Sequence, residues 1–143
     1  MSSASEGALP DEEGVFVYDV PSGSWARAAP GEAVRDGVNV VYFRSPLCMY
    51  CRLLDIKLAD LLRDFAGRAN FVVVNCAVAA PCPPRGAEGL PEGSQVEALP
   101  LVVVACRAGG QTRRCARFEG VPSLAELRGA VRLALGAHQQ KAL

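Results

Sequence analysis

Two cysteines three positions apart are the residues best suited to chemistry in this chain. Residues 45–51 read Ser-Pro-Leu-Cys-Met-Tyr-Cys, so Cys48 and Cys51 stand at the start of a long amphipathic segment. Such a pair serves as a redox centre, as half of a zinc site or as a structural staple. A 48–51 disulfide closes a ring too small to restrict the unfolded chain much, which disfavours the staple.

A zinc site at this position would need four ligands. Cys76 and Cys82 are the only plausible source of the second half, and His138 in the C-terminal tail is expected to be solvated. We therefore predict a redox pair, with no metal and no organic cofactor.

The segment that follows the pair has the period of a helix. Its apolar residues recur at helical spacing, and Gly67 is a plausible end; they are Leu54, Leu58, Leu61, Leu62 and Phe65. A cysteine in the first turn lies near unpaired backbone N–H groups and the positive end of the helix dipole, and both stabilise a thiolate. Cys48 is thus the expected nucleophile of thiol–disulfide exchange, and Cys51, one turn further on, is the expected resolving thiol.

The remaining elements follow from apolar runs and turn residues. Strands are predicted at 14–20, 38–43 and 70–78, with a short helix around 31–35 and the long helix completing a βαβ unit. Residues 79–97 are rich in Pro and Gly and predict a loop. Strands at 99–106 and 112–118 flank a Gly-Gly turn, and Ser123 and Glu126 form a capping box before the last helix.

Three features together resemble the thioredoxin-like superfamily over residues 14–136. The Cys-Met-Tyr-Cys motif lies between a buried strand and a long helix, Pro100 begins a strand after an irregular segment, and Gly120 precedes the last helix. The resemblance implies an α/β thioredoxin-like fold, with a four- or five-stranded mixed sheet and helices on both faces. It also implies a cis bond before Pro100, which would pack against the cysteines and leave the backbone around Leu99 free to pair with substrate.

The motif departs from the common family pattern at several positions. Tyr50 lies between the cysteines, where it would shape access to Cys48, and its place resembles that in glutaredoxins. The glycine-rich, acidic stretch with which glutaredoxins hold glutathione is absent, so glutathione use ranks lower. Leu47 replaces the usual tryptophan, and Tyr42 stands where thioredoxins carry a buried aspartate. The direction of electron flow is therefore open. Arg44 and Arg52 would add positive potential near the pair.

The other four cysteines are expected to be accessory to Cys48. A central Gly110-Gln111 turn places Cys106 directly opposite Cys115, where a disulfide is possible, whereas a central Gly109-Gly110 turn places Cys106 opposite residue 113. Both turns are allowed. Cys76 and Cys82 would pin the Pro-rich loop if bonded. The alternatives for these two are a buried thiol and a solvent-facing thiol, or a second redox pair.

Composition limits the functional classes. The chain has 143 residues, half of them hydrophobic, and its fifteen basic and fifteen acidic side chains balance. That balance favours neither nucleic acid nor an anionic membrane surface as a partner. Residues 1–13 are polar and acidic without a secretory signal, which predicts a flexible tail before a single domain at 14–143, in a cytoplasmic monomer.

The function expected from these observations is dithiol–disulfide oxidoreduction of protein disulfides, with electrons from a partner reductase or small thiols. Two other classes remain open. One is a non-catalytic thioredoxin-fold binding module with structural disulfides, and the other is a zinc-binding domain.

Overall fold

The structure, a computed structural model, describes residues 8–29, 31–76, 90–91, 96 and 98–142. Within these ranges the strands are β1 (Gly14–Asp19), β2 (Ser24–Arg27), β3 (Gly37–Arg44), β4 (Asn70–Asn75), β5 (Leu101–Ala108) and β6 (Gln111–Glu119). The helices are α1 (Met49–Phe65) and α2 (Leu124–Ala142). The predicted βαβ unit is therefore β3–α1–β4.

The strands form one mixed sheet in the order β2-β1-β4-β3-β5-β6. Its centre is the parallel pair β3 and β4, in which Val41 lies opposite Val72. β5 runs antiparallel to β3, and β6 antiparallel to β5. β3 is buried on both faces because the two helices pack on one face of the sheet and the segment that contains Ala33 and Val34 packs on the other, which explains its mostly apolar sequence.

The described sheet has six strands, whereas four or five were predicted. β2 is the strand that the sequence did not predict. Residues 21–37 were expected to contain turns and a short helix only. Instead, Ser24–Arg27 pairs antiparallel with β1, after a turn in which Gly23 has a φ of 68°. The rings of Tyr18 and Trp25 meet edge to face across this hairpin, with 5.3 Å between their centroids, and the contact favours the pairing.

The short helix predicted around 31–35 is also wrong. Side-chain amides bind the backbone groups that a helix would use. Asn39 Oδ1 accepts the N–H of Arg35 at 2.9 Å, and Asn39 Nδ2 donates to the carbonyl of Arg35 at 2.8 Å. Asn70 Nδ2 donates to the carbonyl of Ala33 at 2.8 Å. The segment is thereby held as an irregular connection against the sheet.

Both described helices pack on the same face of the sheet. Leu54 and Leu61 of α1 share one buried cluster with Leu127 and Val131 of α2. The opposite face is covered, within the described residues, by the irregular segment that contains Ala33 and Val34 and by Leu90, Val96 and Leu99, not by a helix. The sequence predicted helices on both faces, whereas the two helices of the described residues lie on one face.

The capping box at the start of α2 is confirmed. Ser123 Oγ accepts the N–H of Glu126 at 3.1 Å, and Glu126 Oε1 accepts the N–H of Ser123 at 3.1 Å. The backbone N–H of Ser123, and to a smaller extent its hydroxyl, lower the pKa of the Glu126 carboxyl because they favour its ionised form. The cap fixes the start of α2 beside the end of the β5–β6 hairpin.

Part of the predicted N-terminal tail is attached to the domain. Leu9 packs against the helix-side core, and the carbonyl of Pro10 accepts a hydrogen bond from Arg44 at 3.1 Å. The carbonyl of Glu12 accepts one from Asn75 at 3.0 Å. These contacts place residues 9–12 at the same edge of the sheet as the ends of β3 and β4. Residues 1–7 lie outside the described ranges.

Candidate active site around the paired cysteines

Cys48 is the N-cap residue of α1. Its backbone is extended, with φ −91° and ψ 117°, and its sulfur accepts the N–H of Cys51 at 3.2 Å. A tight turn precedes it, in which the N–H of Cys48 bonds the carbonyl of Ser45 at 3.0 Å. An N-cap side chain that accepts a helical N–H lies where unpaired donors concentrate positive potential, which is favourable for a sulfur anion.

Cys51 lies one turn further along α1 and is fully buried. Burial raises the pKa of its thiol to about 12, and the contact with Cys48 acts in the same direction. Both thiols are free, with Cys48 partly exposed. The pair is therefore asymmetric: Cys48 is partly exposed, whereas Cys51 is buried and its thiol retains its proton at neutral pH.

A buried polar network lies on the strand side of α1. The hydroxyl of Tyr42 lies 2.8 Å from both the carbonyl of Cys51 and Asp55 Oδ1, two acceptors that share its single proton. Arg44 Nε and Nη2 donate to Asp55 Oδ1 and Oδ2, each at 2.9 Å. Arg44 Nη1 donates to Asn75 Oδ1 at 2.6 Å. Tyr42 and Arg44 face α1 together because alternate residues of a strand share a face.

Electrostatics within this network follow from burial and pairing. Burial alone lowers the pKa of Arg44, but the hydrogen bonds and charge of Asp55 outweigh it, so the guanidinium stays charged. Burial and the nearby Asp55 carboxylate raise the pKa of Tyr42 above its ordinary range, so its hydroxyl remains a proton donor. Arg44 was expected from the sequence to contribute positive potential; Asp55 and Asn75 were not singled out.

A signal for the two missed residues exists in the sequence. Asn75 interrupts an otherwise apolar strand at its carboxyl end, and Asp55 stands four residues after Cys51, one turn along the same helix. A polar residue next to a buried position is expected to have a partner, and Arg44 is the nearest candidate at the end of β3.

The predicted substrate-shaping proline lies at the same edge of the sheet as the cysteines. The Leu99–Pro100 peptide bond is cis, as the resemblance implied. The next residue, Leu101, pairs with Phe43, so Pro100 is level with Arg44 and the turn that leads to Cys48. Pro100 is buried, its carbonyl accepts the N–H of Gly120 at 3.0 Å, and Leu99 is partly exposed. Gly120 therefore ties the end of the hairpin to this loop.

Exposed apolar side chains surround the motif. Met49 and Leu47 are each 76% exposed and Tyr50 is 63% exposed, and Leu53 and Ile56 continue the apolar surface along α1. Five large apolar side chains grouped on a small domain are typical of an interaction surface. Tyr50 is therefore at the surface beside Cys48, in keeping with its expected position.

The hairpin has the register of the second alternative, with a central Gly109-Gly110 turn, and its two cysteines are nevertheless linked. Gly109 and Gly110 form the central turn, with φ of 61° and 78°, and Cys106 is paired with Arg113. A bulge between Val104 and Ala105 then displaces Cys115 from the ladder, and the structure joins Cys115 to Cys106 as a disulfide with a Cα–Cα distance of 6.3 Å. Cys106 also lies opposite Val38, at the end of β3 remote from Cys48.

Cys76 follows β4 and is buried, and its N–H donates to the carbonyl of Arg44 at 2.8 Å. Cys82 lies outside the described residues, so the pairing of these two cysteines stays a prediction. Among the residues that the structure describes, no three His, Cys, Asp or Glu side chains are grouped as metal ligands. Neither described helix has the length and apolar composition of a membrane span.

Known structures resemble this one in fold. A malarial protein matches with a TM-score of 0.50 and 18% identity, over 70% of this chain and 99% of that chain. Mitochondrial thioredoxin 3 from Saccharomyces cerevisiae matches with a TM-score of 0.48 and 18% identity, over 68% of this chain and 79% of that chain. The thioredoxin Deadhead from Drosophila melanogaster matches with a TM-score of 0.48 and 24% identity, over 68% of this chain and 81% of that chain. No family model and no curated protein matches the chain.

The order of the elements defines the fold. A central parallel β3–α1–β4 unit, two antiparallel strands and a closing helix make a thioredoxin-like fold. The paired cysteines lie at the start of α1, and a cis-proline lies at the same edge of the sheet. The chain thus combines a thioredoxin-like fold with a two-cysteine motif at the start of its first helix.

Proposed function

We propose that this protein is a dithiol–disulfide oxidoreductase that acts on protein disulfides. The observation that carries the proposal is the asymmetry of its two thiols. Cys48 is partly exposed at the N-cap of α1 and its sulfur accepts an N–H, whereas Cys51, one helical turn further on, is buried. An accessible thiolate beside a protected thiol is the arrangement that two-step disulfide exchange requires.

The proposed cycle balances in two steps. The Cys48 thiolate attacks one sulfur of a substrate disulfide, which forms a mixed disulfide and releases the other substrate sulfur as a thiolate. Cys51 then gives up its proton and attacks the Cys48 sulfur. The second substrate thiolate leaves, and the 48–51 disulfide forms. Two electrons pass from the protein to the substrate, and a partner reductase or small thiols restore the dithiol. The reverse cycle oxidises a substrate.

Substrate binding is assigned to the surface beside Cys48. Tyr50 and the neighbouring exposed apolar side chains offer contact area, and the backbone at Leu99, held by Pro100, offers hydrogen bonds to an extended segment. The balanced charge of the chain supports a protein partner in preference to nucleic acid or a membrane. We place the protein in the cytoplasm as a monomer, where cellular thiols supply electrons.

The second candidate is a non-catalytic binding module with the same fold. The apolar surface around Leu47 and Met49 favours it, because a docking surface serves a binding module as well as an enzyme. The two candidates differ in whether the sulfur of Cys48 is needed for function.

Reduction of insulin by a chemical dithiol tests the proposal. The wild-type protein is expected to accelerate the reaction, and Cys48→Ser is expected to abolish the acceleration. The matched control is the double variant Cys106→Ala/Cys115→Ala, which also removes two sulfurs but at the remote end of the sheet, and it is expected to retain the activity. Equal activity of Cys48→Ser and wild type, or no acceleration by either, contradicts the oxidoreductase and favours the binding module.

A further inference from the structure

A charged side chain is buried beside the redox pair at an energetic cost. Arg44 is 1% exposed, and its guanidinium contacts Asp55, Asn75 and the carbonyl of Pro10. Taking a guanidinium out of water is unfavourable, and even a well-paired buried ion pair is often no more stabilising than apolar residues of the same volume. Overall stability is therefore a weak reason for this arrangement, and its position next to Cys51 suggests a role in the chemistry.

The network reaches the resolving cysteine through hydrogen bonds. Asp55 Oδ1 accepts from both Arg44 Nε and the Tyr42 hydroxyl, and that hydroxyl also lies 2.8 Å from the carbonyl of Cys51. Asp55 is one helical turn after Cys51, so both residues lie on the same side of α1. The first turns of the helix are thus fixed against the end of β3 at the point where Cys51 must move to attack.

We propose that Arg44 and Asp55 are positioning residues that set how readily Cys51 becomes a thiolate in the resolving step. The inference deepens the proposed function and rests on it. It assigns the control of the second step to an opposite-charge pair formed between β3 and α1.

The physical basis is the balance of two nearby charges. When Cys51 loses its proton, an anion forms at a buried residue, where charges act over longer distances than in water. The Arg44 cation favours that anion and the Asp55 carboxylate opposes it. The other groups that face this site are the Cys48 sulfur on the same helix, the neutral Tyr42 on β3, and Asp11, 3.4 Å from Arg44 in the N-terminal segment.

Opposite effects of the two residues distinguish this role from a structural one. Removing the cation leaves the carboxylate, which disfavours the thiolate, and removing the carboxylate leaves the cation, which favours it. Each pKa unit changes the thiolate fraction about tenfold at neutral pH. The accompanying change in nucleophilicity partly offsets this and leaves about a threefold change in rate per unit. A purely structural pair would change the rate in the same direction whichever member is removed.

The test separates the two steps of exchange in one experiment. Reduced protein is mixed with one equivalent of an aryl disulfide whose released thiolate is coloured, and absorbance is followed in time. The first phase reports attack by Cys48, and the second reports the release of the second aryl thiolate by Cys51. Arg44→Met is expected to slow the second phase about three- to tenfold, and Asp55→Asn is expected to accelerate it by a similar factor. The first phase is expected to be unchanged.

Controls come from the same helix. Arg63 and Asp60 form an exposed ion pair near the other end of α1, so Arg63→Met and Asp60→Asn remove the same charges away from Cys51 and are expected to leave both phases unchanged. The double variant Arg44→Met/Asp55→Asn restores neutrality and is expected to return the second phase close to the wild-type rate. Asp55→Asn carries the test alone if Arg44→Met does not fold.

The outcomes are distinguishable. Absence of the first phase in the wild-type protein contradicts the proposed function itself. Two normal phases, with a second phase that is unchanged in Asp55→Asn or is slowed in both single variants, contradict the positioning role and leave the oxidoreductase intact. An unchanged first phase, with a second phase that is slowed in Arg44→Met and accelerated in Asp55→Asn, supports the inference.

Discussion

The backbone N–H of Cys51 points at the sulfur of Cys48, and 3.2 Å separates the two atoms. This contact joins the motif to the helix, because the same N–H belongs to the unpaired donors of the first turn of α1. The hydrogen bond holds the Cys48 sulfur within one helical turn of Cys51. An N-cap side chain accepts the N–H of the second or third helical residue, and Cys51 is the third residue of α1. The two residues between the cysteines therefore give the spacing that this hydrogen bond requires.

Replacement of the buried thiol is expected to stop the cycle halfway. Cys51→Ser leaves Cys48 able to attack a disulfide but unable to release the product, so a mixed disulfide with substrate accumulates. Turnover is expected to fall by a factor on the order of 100 or more, as when a member of a covalent mechanism is lost. Intact-mass measurement detects the adduct. The variant Cys48→Ser serves as control, and an equal adduct on it would assign the attack to another cysteine.

The stability of the reduced protein is expected to decrease in alkaline solution because of Cys51. Its folded-state pKa, raised to about 12 by burial, lies above the unfolded value of about 8.5. The stabilisation is complete below the unfolded value and is lost as pH rises toward the folded one, since the unfolded chain ionises first. Between pH 8 and 10 this group alone removes about 2 kcal/mol.

Urea unfolding of the dithiol form at several pH values measures this slope, with Cys51→Ala as the matched variant. The substitution leaves a cavity and so lowers the free energy of unfolding at every pH. Between pH 8 and 10, the free energy of unfolding of Cys51→Ala is expected to fall by about 2 kcal/mol less than that of the wild-type protein. Parallel curves for the two proteins would show that Cys51 does not retain its proton in the folded state.

The capping box at the start of α2 is expected to contribute measurably to stability. Ser123→Ala removes the acceptor for the N–H of Glu126 and is expected to cost about 1 kcal/mol in urea unfolding. Glu126→Gln keeps an acceptor for the N–H of Ser123 but removes the charge. Because the folded pKa of Glu126 is lowered, its stabilisation is present above the unfolded value and lost as pH falls, and Glu126→Gln should lack that loss.

The hairpin disulfide is expected to contribute to stability and not to catalysis. Cys106→Ala/Cys115→Ala opens a short loop and is expected to cost about 2–3 kcal/mol. Cys106 lies opposite Val38, at the other end of β3 from the motif, so disulfide exchange at Cys48 should continue at the wild-type rate. A peptide map without reductant checks the linkage. A loss of exchange activity in a variant that still folds would assign these sulfurs to the redox cycle.

Local patterns in the sequence predicted several parts of the fold well. The apolar period after Cys51 marks α1, the pair Ser123 and Glu126 marks the start of α2, and the apolar run at 38–43 marks the central strand. Each of these depends on residues within a few positions of one another, so neighbours in the chain are sufficient to specify them. The N-cap position of Cys48 follows for the same reason, because it is set by where the helix begins.

Other features depend on contacts that no regular pattern of residue types reveals. The contact of Trp25 with Tyr18 stabilises the pairing of β2 with β1. Residues 31–35 are not helical because Asn39 and the distant Asn70 bind their backbone groups. The hairpin register was open because both turns are allowed by local sterics, and a bulge opposite Val104 and Ala105 decides how Cys115 reaches Cys106.

The amino-acid sequence by itself determined that two thiols stand at the start of a helix in a thioredoxin-like order of elements. Only the tertiary structure decided that Arg44 is buried. It also decided that Arg44 donates hydrogen bonds to Asp55, eleven residues away, and to Asn75, thirty-one residues away. The reason is physical. A helix start is specified by local backbone geometry, whereas the energy of a buried charge depends on every group that the fold brings to it.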